Sequence, residues 1–163
     1  MRWRRWLVVT AGYLVVVGIV GLSAATGWFY WDRVQARGEQ AARAVLPALA
    51  AKEVPEVFAY DYQTVERSLA AAYPLLTPDY RQEFQKSANS QIIPEAKKRE
   101  VVVQANVVGV GVMSAKRTSA SVMVYMNRTV TDKTRQPLYD GSRLRVDFKK
   151  IGDKWLIAYI TPI

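Results

Sequence analysis

Residues 6–31 carry no charge, and the run is bounded by Arg2, Arg4 and Arg5 on one side and by Asp32 and Arg33 on the other. An uncharged stretch of this length predicts a membrane-spanning helix. Trp6 to Trp28 would rise about 33 Å at roughly 1.5 Å per residue, close to the ~30 Å of bilayer hydrocarbon. Trp3 and Trp6 at one end, and Trp28, Phe29, Tyr30 and Trp31 at the other, put amphipathic rings at headgroup depth, with Trp6, Trp28 and Trp31 as the expected anchors. The tail ahead of the span holds three arginines and no acid, which predicts a cytoplasmic N-terminus and an extracytoplasmic C-terminal domain on a single-pass protein of the inner (plasma) membrane. A cleaved secretory signal is the competing reading, with Leu7 to Leu22 as its apolar core and Ser23-Ala24-Ala25 as its cleavage site. The aromatic belt beyond that site favours a retained anchor.

Beyond the span, Asp32 to Leu46 is rich in Ala, Arg, Gln and Glu and predicts a helical stalk, with Gly38 and Pro47 as its weak points. Pro47 is expected to kink or end it, because an interior proline removes a hydrogen bond and clashes with the preceding turn. Tyr62, Val65, Leu69 and Tyr73 then share one helical face behind Asp61 as N-cap, and Pro74 closes that helix. Thr77-Pro78-Asp79 is a second start signal, with Thr77 capping, Pro78 in the first helical position and Asp79 near the positive end of the helix dipole. Tyr80, Phe84 and Ala88 form its apolar stripe, and it is expected to end before Pro94, leaving 95–100 as a charged connector.

From Val101 the period changes to two. Val101 to Val112 predicts a long strand with a bend or bulge at Gly109 and Gly111. Ala120, Val122, Val124 and Met126 alternate with Ser119, Ser121, Met123 and Tyr125 in a second strand, and Leu144, Val146 and Phe148 alternate with charged neighbours in a third. A turn at 151–154 leads into a fourth, Trp155 to Ile160. Helices followed by a meander predict an α+β domain with helices packed on a curved antiparallel sheet. The expected organisation is a cytoplasmic tail at 1–5, a transmembrane helix at 6–31, a helical stalk at 32–56 and one extracytoplasmic domain at 57–163.

Composition narrows the chemistry. The 163 residues include no Cys and no His, which removes disulfides, the commonest transition-metal ligands and the usual general base near neutral pH. Asp79 and Glu83 lie one helical turn apart, but beside Arg81 and Lys86 they read as a solvated face, and no phosphate loop or nucleophile motif is present. The expectation is a protein that is not an enzyme and takes no cofactor or metal. Net charge is +9; three of the 23 Lys and Arg sit in the tail, leaving 20 against 14 acids beyond it. Lys97, Lys98 and Arg99, with Arg143, Arg145, Lys149 and Lys150, form a candidate basic surface for an acidic partner or lipid headgroups, and nucleic acid is not expected outside the cytoplasm. Ala11, Gly18, Gly21 and Ala25 fall near one stripe of the apolar helix and are a candidate interface for another transmembrane helix.

Several local strings, in this order behind one anchor, resemble the actinobacterial Mce-associated membrane proteins, accessories of the mammalian-cell-entry lipid transport systems. They are Tyr60-Asp61-Tyr62, Leu75-Leu76-Thr77, Asn127, Asp140-Gly141-Ser142-Arg143, Gly152-Asp153-Lys154-Trp155-Leu156 and Thr161-Pro162-Ile163. The resemblance implies a cone-shaped fold like nuclear transport factor two, similar also to the periplasmic domain of a type IV secretion assembly subunit. It implies a non-enzymatic accessory that assembles or stabilises a fatty acid or sterol import complex, with the permease and substrate-binding subunits as partners. The alternatives are a direct lipid carrier, with Met113, Met123, Tyr125 and Met126 lining a cavity, or an assembly subunit of a secretion-like complex. The residues themselves read as structural: Asp140-Gly141 as a turn into a strand, Trp155 as a core aromatic, and 161–163 as the end of a sheet edge.

Overall fold

The computed structural model describes the backbone of residues 2–163 and the side chains of 22, 23, 27, 28 and 30–163. Two compact units are present, Met1–Arg37 and Gly38–Ile163. The expected span at 6–31 lies for its greater part outside the described side chains, and among the described residues no helix is long and apolar enough to cross a membrane.

Helix α1 runs from Arg2 to Phe58 and contains both Pro47 and Pro55. The sequence predicts a kink or an end at Pro47; instead the helix continues to within two residues of the first strand. The reason lies in its buried stripe. Ala42, Leu46, Ala50, Val54 and Val57 recur at intervals of four and three, and all are buried in the main core. Burial contributes roughly 1.5–3 kcal/mol for each of the larger side chains, on both sides of Pro47, and this offsets an interior-proline cost of about 3 kcal/mol. Residues 38–56, read from the sequence as a stalk, therefore form the central helix of the second unit.

After β1 (Tyr60–Asp61) the chain turns into α2 (Val65–Ala72). Asp61 is not the helix cap. It lies in a strand, and its Oδ1 accepts from the backbone N–H of Gln63 at 2.9 Å, which builds the turn that delays the helix until Val65. A 3-10 turn (Tyr73–Leu75) carrying Pro74 follows. The cap at Thr77 forms as predicted: its backbone is extended, Pro78 opens α3 (Pro78–Ser87), and its Oγ1 accepts from the N–H of Tyr80. The chain does not stop before Pro94. A π-turn (Ala88–Ile92) joins α3 to α4 (Ile93–Arg99), and Ile93 donates to Ala88, five residues back. Pro94 thus falls in the first turn of α4, where its missing N–H costs little. The expected connector at 95–100 is helical as far as Arg99 and ends on Glu100 in the left-handed conformation, φ 55°.

The sheet is an antiparallel meander in the order β1-β2-β3-β4-β5, with β2 Val102–Ala115, β3 Ser119–Thr131, β4 Pro137–Ile151 and β5 Lys154–Pro162. Register shifts interrupt β2 between Val107 and Gly109 and again between Val112 and Ser114. The first stands beside the glycine pair that predicts a bulge, and both bend the strand. Asp140 and Gly141 do not form a turn; they lie inside β4, opposite Arg128 and Asn127. The β4–β5 hairpin closes through Gly152 at φ 61°, with Asp153 at ordinary φ, the conformation a II′ turn requires. Since β1 pairs only with Val102 and Val103, the rest of the outer edge of β2 is unpaired by any strand among the described residues.

Alternation sets the two faces. Val122, Val124 and Met126 of β3, with Leu144, Val146 and Phe148 of β4, are buried against α1 in the main core, where the half-buried Trp155 also packs. A smaller cluster of Val65, Leu69, Ala88, Ala96, Val101 and Val103 joins α2 and α4 to the start of β2. The N–H of Thr77 donates to the Ile157 carbonyl at 2.9 Å and ties α3 to the β5 edge.

Candidate functional site

Where α1 ends, the helices and the sheet diverge and leave a cleft of about 480 Å³. Phe58, Leu69, Phe84, Ile92 and Val130 supply apolar walls, and Glu95, Arg99 and Arg128 supply the polar groups. Arg128 occupies a core-side position of β3, directly across from Asp140 on β4. Its Nε donates to Asp140 Oδ2 at 3.2 Å, its Nη2 pairs with the same oxygen, and its guanidinium carbon stands 5.8 Å from the centre of the Phe58 ring. Asp140 also accepts from the Ser142 hydroxyl at 3.0 Å. The Arg128 hydrogen bond, followed by that of Ser142, holds the Asp140 carboxyl below its ordinary range. Burial pushes the Tyr60 hydroxyl upward, with the Arg128 charge opposing. The Arg128 guanidinium and the Asp140 carboxylate thus form a charge-assisted pair beside the cleft, with the Tyr60 hydroxyl close by.

At the far rim Arg99 Nη2 donates to Asp132 Oδ2 at 3.1 Å, and its Nη1 lies 3.6 Å from Glu95 Oε1. Asp132 is held down to about 2 by the Thr134 hydroxyl, the Thr134 N–H and Arg99, in that order. The same contacts fasten the β3–β4 turn, where the N–H of Lys133 reaches the Arg99 carbonyl.

The predicted basic residues do not form one surface. Lys97 pairs with Glu66 at 2.7 Å and Arg99 with Asp132, at the end of the sheet that holds the β3–β4 turn. Lys149 and Lys150 lie at the opposite end, where the N–H of Lys150 donates to Thr118 beside the β2–β3 turn. The thirteen residues of β3 separate these ends by about 40 Å at ~3.3 Å per residue. Arg145 pairs with Asp147 at 3.1 Å; Lys98, Arg143, Lys149 and Lys150 make no ion pair among the described residues. Trp28 and Trp31 are 77% and 60% exposed. Trp6 and the interface candidates Ala11, Gly18, Gly21 and Ala25 lie outside the residues whose side chains are described. The suggested lipid-lining set is divided too: Met126 is core, whereas Met123 and Tyr125 project from the opposite face and Met113 is exposed.

Sequence reasoning missed the Arg128–Asp140 pair. The signal was present in the register of two alternating segments, since a cation and an acid both occur on the apolar phase of neighbouring strands, but Asp-Gly was read as a turn.

Among solved structures, the fold is similar to an IcmL-like type IV secretion system protein from Legionella pneumophila, with a TM-score of 0.63 at 15% identity over 74% of this chain and 93% of that one. It is equally similar to the periplasmic domain of DotI, TM-score 0.63 at 12% identity, covering 74% and 94%. The VirB8 homologue CagV of Helicobacter pylori gives 0.58 at 11% identity, covering 73% and 96%. These likenesses establish the fold, an α+β domain of the kind found in secretion-system periplasmic domains. In sequence, the outer membrane protein Rv1973 of Mycobacterium tuberculosis is 26% identical over the whole of both chains, and Rv1362c of the same organism is 26% identical over 99% of this chain and 75% of its own. The family described as "Uncharacterized protein Rv1363c/MT1408-like" matches residues 5–153, and the chain belongs to that family.

Proposed function

We propose that the protein is a non-catalytic assembly subunit of a multi-protein complex of the cell envelope, held at the membrane by residues 6–31 with its N-terminus cytoplasmic. The observation that carries this reading is the fold itself, similar over 74% of the chain to domains named as type IV secretion components. The uncharged, Trp-flanked segment at 6–31 is the expected anchor. The name outer membrane protein, borne by one full-length relative, also supports a membrane association. A secretion-like assembly role has the stronger support. A role in fatty acid or sterol import rests on the local strings that resemble Mce-associated proteins.

Purification of tagged full-length protein from its native membrane in mild detergent tests the proposal. Co-purification of other envelope proteins in fixed ratio is expected; permease and substrate-binding subunits would point to lipid import, and an ATPase with channel components to secretion. Recovery of the protein alone would overturn the assembly reading. A second reading, direct lipid carriage, is favoured by the apolar 480 Å³ cleft with Arg128 beside it. Native mass spectrometry of protein purified from cells would show a bound lipid if that reading holds and none if it fails.

A further inference from the structure

The helices cover one face of the sheet; the other is open. Cross-strand register lays this face out in rows. Gly109, Tyr125 and Arg143 form one, and Gly111, Met123 and Arg145 the next. Tyr125 is 45% exposed, and at the neighbouring bulge Val108 is 58% exposed. Between Tyr125, Val108, Asn127 and Arg143 lies a notch of about 270 Å³, floored at Gly141. A Cβ added at Gly111 would meet nothing within 4 Å, so the face is open at that row.

Charge on the face is one-sided. Arg143, Arg145 and Lys149 stand along β4, and the acid among them, Asp147, already accepts from Ser121 and from Arg145 Nε at 3.1 Å. Arg143 flanks the notch with no carboxylate among the described residues.

We infer that this open face, centred on Tyr125 and Met123, docks an acidic segment of another protein, which seats an apolar side chain in the notch and sets carboxylates against Arg143 and Arg145. The inference deepens the assembly reading and rests on it. Desolvating Arg143 against any surface without a carboxylate leaves a buried unpaired cation, whereas a carboxylate can meet its fork with two parallel hydrogen bonds. A second copy of this face supplies no acid beyond the engaged Asp147. A layer of lipid headgroups would leave a notch of side-chain size unfilled and would oppose Asp147.

The test is photocrosslinking of full-length protein in its native membrane, with benzoylphenylalanine at position 125 and, as a control, at position 153 in the β4–β5 turn. Crosslinked peptides are sequenced by mass spectrometry. Position 125 is expected to give about tenfold more adduct than position 153, joined to a different protein within a stretch rich in Asp and Glu. Arg143→Glu with Arg145→Glu should cut that adduct about tenfold, and Arg143→Gln, which leaves the Arg145–Asp147 pair intact, should cut it severalfold. Adducts to a second copy, to lipid or to a segment without acids would overturn the inference, as would a yield at the control level or one indifferent to the arginines. If partner subunits still co-purify from the same cells while position 125 gives no adduct, this docking face fails and the assembly reading stands.

Discussion

Gly38 of α1 lies directly against Arg117 of the β2–β3 turn: a Cβ built on Gly38 would stand 2.5 Å from Arg117 Cγ, 2.8 Å from its Cβ and 3.2 Å from its Cα. The glycine is therefore a contact point for the far end of the sheet. In an exposed helix interior, Gly→Ala gains about 1 kcal/mol of propensity. Here the methyl group meets atoms next to the backbone of Arg117, which cannot swing aside as the tip of a side chain can. Gly38→Ala is expected to lose roughly 1–3 kcal/mol in denaturant unfolding, the range of overpacking. Pairing it with Arg117→Gly, which removes the two nearest atoms, should recover most of that loss. Additive effects in the double-mutant cycle would refute the contact.

Glu100 ends α4 at φ 55°, where a side chain is strained and glycine is not. Glu100→Gly should stabilise the protein by about 1 kcal/mol, visible as a higher denaturation midpoint at unchanged m-value. A lower midpoint would mean that Glu100 makes a contact that outweighs the strain.

Acid should weaken the β3–β4 end of the sheet. The Asp132 carboxyl, held down to about 2 by Thr134 and Arg99, and that of Asp140, held down by Arg128 and Ser142, are depressed in the folded state. Their contribution is complete above the ordinary Asp range near 3.9 and disappears as pH falls through the depressed folded values. Unfolding measured from pH 5 to pH 2 should therefore show falling stability, with a shallower slope in Asp132→Ala and Asp140→Ala. An identical slope in both variants would show that these pairs do not hold the folded state.

Glu53 behaves in the opposite sense. Its Oε2 is buried without a hydrogen-bond partner, and its acidity is weakened first by burial and then by Glu56, with Lys52 opposing. A raised folded value means that the native state takes up the proton first, so the cost of the charge is complete above that value, shrinks as pH falls below it and is gone below the ordinary Glu range. Glu53→Gln should be more stable than the parent at pH 7, by less than about 1 kcal/mol because the side chain keeps contact with water. The advantage should close on acidification; one that persisted at pH 3 would need another cause.

Alternation made the sheet legible. Two of the four long strands, at 119–126 and 143–149, show period two over enough residues to fix their faces, and Gly109 signalled the first bulge. The cap at Thr77 was legible because Pro78 and Asp79 repeat the same message at adjacent positions. Prolines misled where tertiary burial outweighed local cost. Pro47 lies between Leu46 and Ala50, whose burial holds α1 together, and Pro94 follows a π-turn that no periodicity announces. The stripe Ala42, Leu46, Ala50, Val54 was present at perfect helical spacing, yet two of its members are alanines and carry little hydrophobic weight. The cleft was hidden for another reason: Arg128 and Asp140 become partners only through strand register, which sequence spacing does not define.

The two interruptions in β2 have a consequence for solubility. From Val102 to Ala115 this strand carries no charged residue and no proline, and past Val103 no strand among the described residues pairs with its outer edge. A straight edge of that composition would template the addition of further chains and grow into fibres. The extra residues at Val108 and Met113 bend it twice, so that no long run of its free N–H and C=O groups lies in one line. Shortening the strand by one residue at either bend would tidy the ladder with β3 and, in doing so, give the molecule an edge on which aggregation can begin.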